Sequence, residues 1–159
     1  LLLKMIHLYS FLKNYIMNLE GILNISGKPG LFKVISHAKN RVIVESLSDG
    51  KRGAINSHSQ ANMLEEIGIY TYDETKPLAE IFENISKKEN GNLTISHKSS
   101  QNELINYFRE IVPDYDEERV YFSDIKKVVQ WYNCMQTAGL IEFKKKKSKD
   151  KKNTKKKTI

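Results

Sequence analysis

The 159-residue chain has 26 lysines and arginines against 19 aspartates and glutamates, a formal net charge of +7, but the excess is not spread along it. Residues 144–159 hold ten lysines and one aspartate, a net +9, whereas residues 1–143 hold 16 basic and 18 acidic side chains, a net −2. That partition excludes a uniformly basic globular domain, and the lone cysteine, Cys134, excludes both an intramolecular disulfide and a cysteine-rich zinc cluster.

The first sixteen residues, LLLKMIHLYSFLKNYI, are apolar but interrupted by polar or charged residues every few positions. They are too short and too broken to span a bilayer, and no small-residue cleavage site follows. Patterned sequence starts at Met17, so residues 1–16 are expected to be an upstream extension outside the fold. From there the chain reads as short strands punctuated by turns. Gly21–Ser26 is apolar and β-prone, Gly27-Lys28-Pro29-Gly30 is a dense turn signal, and Leu31–Ser36 follows. After a turn at His37–Asn40 comes Arg41–Leu47, rich in valine and isoleucine, and Asp49-Gly50 signals a hairpin into Arg52–Asn56. Ile67–Tyr72 alternates and suits a fifth strand. Five short strands predict a small SH3-like antiparallel β-barrel over residues 17–73.

After Asp73 the period becomes helical. Pro77 suits the first turn of Leu78–Lys88, whose Leu78, Ile81, Phe82 and Ile85 share a stripe, and Asn90-Gly91 ends it. Leu93–Ile95 reads as a short strand or extended linker. Ser100 and Glu103 have capping-box spacing ahead of a helix that Pro113 stops. Ser123 precedes a longer helix, Asp124–Thr137, with Gly139 at its exit. The expected class is therefore α+β: the barrel, a helical region over residues 74–143, and a disordered lysine-rich tail over residues 144–159, too poor in apolar side chains to offset the entropy of ordering it.

Three runs, GILNISGKPGLFKVISHAKNRVIVESL, IYTYDETKPLAEIF and VYFSDIKKVVQWYN ahead of a lysine-rich tail, carry a resemblance. In this order they resemble a family of small Bacteroidota proteins defined as a domain of unknown function, with a β-rich amino-terminal part and a helical carboxy-terminal part. The resemblance spans about Met17 to Leu140. It implies the architecture and a start at Met17, and it brings no activity or catalytic residue with it.

Chemistry-bearing motifs are sparse. His7, His37, His58 and His97 lack the close spacing of metal ligands, and Ser57-His58-Ser59 has no positioned acid, so it reads as turn residues. The glycines around Lys28 and Pro29 lack phosphate-loop spacing. Asp114, Asp116, Glu117 and Glu118 lack the alternating ligands and glycine of a calcium loop and read as a solvated linker. Trp131, Tyr132 and Cys134 fall in an apolar helical stretch and read as packed residues. Tyr70 and Tyr72 share one strand face, either buried against the helix from Leu78 or exposed as a platform for base stacking. Hairpin turns alternate between strand ends, so Lys28, Lys51 and Arg52 are expected to gather at one end of the barrel, with Lys39 and Arg41 at the other.

Two functions stay open. In the first, a non-enzymatic protein associates with RNA or ribonucleoprotein through Lys144, Lys145, Lys146, Lys147, Lys149, Lys151, Lys152, Lys155, Lys156 and Lys157, with shape recognition from Lys28, Lys51 and Arg52. In the second, a protein-interaction adaptor docks a partner on its barrel or helical surface, and the tail aids solubility or weak localisation. Either would act in the cytoplasm, without enzymatic activity, cofactor, metal, membrane attachment or small-molecule substrate.

Overall fold

The computed structural model describes residues 15–141 and 143–145. Its central sheet has five antiparallel strands, β2 (Ile22–Ile25), β3 (Phe32–Ala38), β4 (Arg41–Ser46), β5 (Arg52–Asn56) and β6 (Ala61–Met63), in the order β5-β4-β3-β2-β6. The first four coincide with predicted strands. The sheet is not the closed SH3-like barrel expected from the sequence, because β5 and β6 are its two edges and no ladder joins them. The expected fifth strand is also elsewhere: β7 (Gly68–Tyr70) pairs with β8 (Thr75–Pro77) in a separate ribbon, with Ile69 opposite Lys76. In its place beside β2 lies β6, whose sequence Ala-Asn-Met has no β-branched or aromatic residue to announce a strand.

Strand alternation divides the apolar residues between two cores. Neighbouring side chains on a strand point to opposite faces, so Leu23 and Ile25 join Val44 and Ile55 in a small cluster within the sheet, while Ile22 joins the large cluster built by the helices. Leu19, Leu31 and Leu64 enter that large cluster too, which anchors the sheet to the helical layer across the expected boundary near residue 73. A bulge between Val34 and Ser36 bends β3 and leaves Ile35 38% exposed.

The helices are α1 (Leu78–Glu89), α2 (Gln101–Ile111) and α3 (Phe122–Thr137). In α1 the predicted stripe of Leu78, Ile81, Phe82 and Ile85 is fully buried, and Asn90 ends the helix in the left-handed region at φ 53°. The capping box of α2 forms: the Glu103 amide donates to Ser100 Oγ at 3.4 Å, and the Ser100 amide donates to Glu103 Oε2 at 2.9 Å. Ser123 does not cap α3; the helix starts at Phe122, two residues before the expected Asp124, and Asp124 Oδ2 accepts the Tyr121 amide at 3.0 Å. Residues 93–95 are an extended linker held by Asn133, whose Oδ1 accepts the Thr94 amide at 2.9 Å while its Nδ2 donates to the carbonyls of Thr94 and Ile95.

A second ribbon pairs β1 (Tyr15–Met17) with β9 (Phe143–Lys145), setting Met17 opposite Phe143 and Tyr15 opposite Lys145. Tyr15 and Ile16 from the expected extension, and Lys144 and Lys145 from the expected tail, thus have strand backbone; residues 1–14 and 146–159 lie outside the described residues. The ribbon is tied to α1 by the Met17 amide, which donates to Glu83 Oε1 at 2.8 Å. No helix among the described residues is long and apolar enough to cross a membrane.

Candidate nucleic-acid interface

The three ordered cations expected to act together are differently placed. Glu45 and Arg52 are cross-strand partners on β4 and β5, and Arg52 Nε lies 2.7 Å from Glu45 Oε2, so this guanidinium is already matched with a carboxylate. Lys51 lies 3.6 Å from Asp49 across the hairpin turn, with its side chain 86% exposed. The Lys51 amide, donating to Asp49 Oδ1 at 3.1 Å, holds the Asp49 carboxyl below its ordinary range, with help from Ser46.

Lys28 instead shares a recess with Arg41, the cation assigned by strand counting to the opposite end. Both line an open recess of about 610 Å³ together with Ser26, Asn56, Ser59 and Gln60. The sheet's curl brings them together. β2 stays beside β3 only at Ile22 and Leu23, then swings away to pair with β6, and the Ser26 amide donates to the Gln60 carbonyl at 2.9 Å. The start of β4 arrives from the other side, with Arg41 opposite Asn56. Among the described residues no carboxylate lines the recess; its polar groups are two cations, amides and hydroxyls, a set suited to an anion. Strand counting missed Arg41 because it treats a sheet as flat.

The aromatic candidates resolve in both directions. Trp131 and Tyr132 are buried, and Tyr132 meets Phe82 edge to face at 5.8 Å, so they are core residues. Tyr70 and Tyr72 are 46% and 64% exposed and are not covered by α1. One ring is already stacked, since the Arg119 guanidinium lies 4.4 Å from the Tyr70 centroid. Cys134 is half-buried, and burial pushes its thiol above the ordinary range, which suits packing rather than reactivity.

The acidic run is more than a solvated linker: Glu117 and Glu118 are exposed, as expected, but three of its four carboxylates are paired. Asp114 lies 3.0 Å from Lys76, Asp116 2.7 Å from Arg119 and Glu117 2.8 Å from Arg109. The Arg119 bond leads in holding the Asp116 carboxyl below its ordinary range, as the Lys76 bond does for Asp114. These pairs fix residues 114–116 beside β7, where Thr71 and Tyr115 form a bridge. No group of three or more potential metal ligands is present among the described residues. Of the lysine-rich segment, Lys144 and Lys145 contribute backbone to β9, whereas Lys146, Lys147, Lys149, Lys151, Lys152, Lys155, Lys156 and Lys157 lie outside the described residues.

Comparison with known proteins divides the chain between two families. Residues 19–64, from before β2 to the end of β6, match a domain of unknown function (DUF5606), and residues 67–135, from β7 into α3, match a second (DUF6852). No curated protein matches the chain. A Bacteroides vulgatus protein, solved in solution by NMR in a structural-genomics programme, is 44% identical, with a TM-score of 0.67; the match covers 79% of this chain and 91% of that one. The chain therefore belongs to this family of small Bacteroidota proteins of unknown function, in which the five-stranded sheet and the helical part are each a domain of unknown function.

Proposed function

We propose that the protein is a non-enzymatic RNA-binding protein of the cytoplasm, which grips the phosphate backbone through its lysine-rich segment and adds an ordered contact at the Lys28–Arg41 recess. The observation that carries this reading is the partition of charge. Residues 146–159 alone hold eight lysines and one aspartate, a net +7, and residues 1–145 hold 18 groups of each sign. A run of lysines neutralises phosphates without reading bases, so it supplies salt-sensitive affinity with little sequence preference.

The recess supports a second, smaller contribution. Lys28 and Arg41 share it without a neutralising carboxylate among the described residues, unlike Lys51 and Arg52, which favours one local site for a phosphate over a basic face. Binding of a fluorescent RNA hairpin and of an unstructured RNA of equal length tests this. Replacing Lys28 and Arg41 together with alanine should weaken both modestly and reduce any preference for the hairpin, because only an ordered surface reads shape. The same change at Lys51 and Arg52 should have the smaller effect. Equal effects of the two double variants would refute the recess as the ordered contact.

A further inference from the structure

The cleft between β7 and α3 has the features of a strand-docking site. On one side β7 is paired with β8: the Leu78 amide donates to the Ile67 carbonyl and the Thr71 amide to the Glu74 carbonyl, so residues 67, 69 and 71 make the bonds toward β8. Alternation turns the backbone groups of Gly68 and Tyr70 to the other edge. There, residues 114–116 occupy only the far end, where the Asp116 amide donates to the Tyr70 carbonyl at 2.9 Å and the Tyr72 amide donates to the Asp114 carbonyl at 3.1 Å. By that alternation the amide and carbonyl of Gly68 and the amide of Tyr70 are not turned toward β8, and no backbone bond from another described segment engages them.

That open edge faces a cavity of about 220 Å³. Ile67, Gly68, Ile69 and Tyr70 all line it, and neighbouring residues of a strand can share a wall only where the strand presents its edge. The facing wall is one stripe of α3, with Val128 and Trp131 below and Lys127 at the rim. Ligand pockets for drug-sized molecules run to about 300–1,000 Å³, so this cavity is too small for a nucleotide or large cofactor and fits an apolar side chain. Charge selects what flanks that side chain. Arg119 is matched with Asp116, and Asp124, whose Oδ2 accepts the Tyr121 amide, keeps its negative charge at one end of the stripe, whereas Lys127, one turn on, is exposed and has no ion pair among the described residues.

We propose that this cleft docks an extended peptide of a partner protein, which adds as a strand along Gly68–Tyr70, seats one apolar side chain against Val128 and Trp131, and places an acidic residue beside Lys127. Main-chain bonds supply affinity and the side-chain cavity specificity, as in other strand-addition sites. The proposal is independent of RNA binding and gives the adaptor expectation a defined surface.

The test is selection of short random peptides displayed on phage against the full chain, followed by titration of a selected synthetic peptide into 15N-labelled protein. Selected peptides should share one apolar position with an acidic neighbour. The Gly68 and Tyr70 amides should shift and become protected from exchange, and the Trp131 indole should shift with them. Lys127→Glu, on an exposed helical position, should weaken the peptide by about fivefold or more, the scale of gaining or losing an exposed charge contact. Changing the peptide's acid to lysine should restore binding to that variant, a rescue that a folding defect cannot mimic. Failure of any peptide to enrich, binding mapped to other residues, or indifference to Lys127→Glu would each overturn the proposal. So would concentration-dependent shifts of Gly68 and Tyr70 without peptide, which would assign the edge to a second copy, or the same shifts produced by RNA.

Discussion

Val44 lies at the centre of the small sheet cluster, 2% exposed, opposite Val34 on β3 and Gly53 on β5. Gly53 supplies no side chain to the cluster. Val44→Ala removes two methyl groups worth about 0.8 kcal/mol each, and the cavity left behind brings the cost to about 2 kcal/mol. For a domain of this size that lowers the thermal midpoint by roughly 8 °C, at about 4 °C per kcal/mol. Val44→Asp adds the burial of an unpaired carboxyl among Leu23, Ile25 and Ile55 and costs about 4 kcal/mol or more. Circular dichroism melts measure both. Amide exchange locates the effect: in Val44→Ala, protection should fall first in β3 to β5 and later in the helices, because the sheet cluster is distinct from the large core. A Val44→Asp variant that melts within about 2 °C of the parent, well inside the shift expected for about 1 kcal/mol, would refute the strand register and the separate sheet core.

The other expectations are as specific. Asn133→Ala strips three backbone groups of residues 94–95 of their partners and should cost about 2 kcal/mol in urea unfolding, with Asn133→Asp intermediate because it keeps only the acceptor; no loss would mean that water replaces the side chain. The Asp116 carboxyl is depressed by Arg119, so its stabilisation is present above the ordinary carboxyl range near pH 4 and is lost as pH falls through the folded value. Asp116→Asn should therefore flatten the acid limb of stability against pH, and an unchanged limb would contradict the pairing. With its thiol raised by burial, Cys134 should react slowly with iodoacetamide at pH 8 in the folded protein and readily in urea; equal rates would contradict its packing.

Much of the architecture was legible because local signals and tertiary structure agree. The valine- and isoleucine-rich run from Arg41, the turn around Asp49-Gly50, the Leu78–Ile85 stripe and the Ser100–Glu103 box each state their element in residue types that suit it. What was hidden depends on long-range geometry. Ala61–Met63 is a strand only because β2 offers it an edge, and β7 reads as a sheet strand but leaves the sheet because Thr75–Pro77, with Leu78 after it, pairs with it over the helical core. Gly68 permits that close approach, since a Cβ there would lie 2.4 Å from Thr75 Cγ2. The site was legible in charge but not in space. Composition separates the lysine-rich segment from the body, whereas Lys28 and Arg41 come to line one recess only because β2 leaves β3 to pair with β6.

The central claim is most directly tested by titrating RNA binding against salt for the full chain and for a form ending after Lys145, which retains β9 and the folded body but loses the net +7 of residues 146–159. If about five lysines neutralise phosphates of a single strand, the log of affinity should fall against the log of salt with a slope of about −3.5 for the full chain and no steeper than about −1 for the shortened form. At moderate salt the shortened form should bind orders of magnitude more weakly, with an unchanged melting temperature. Equal slopes and affinities for the two forms, or no RNA binding by the full chain at low salt, would contradict the account.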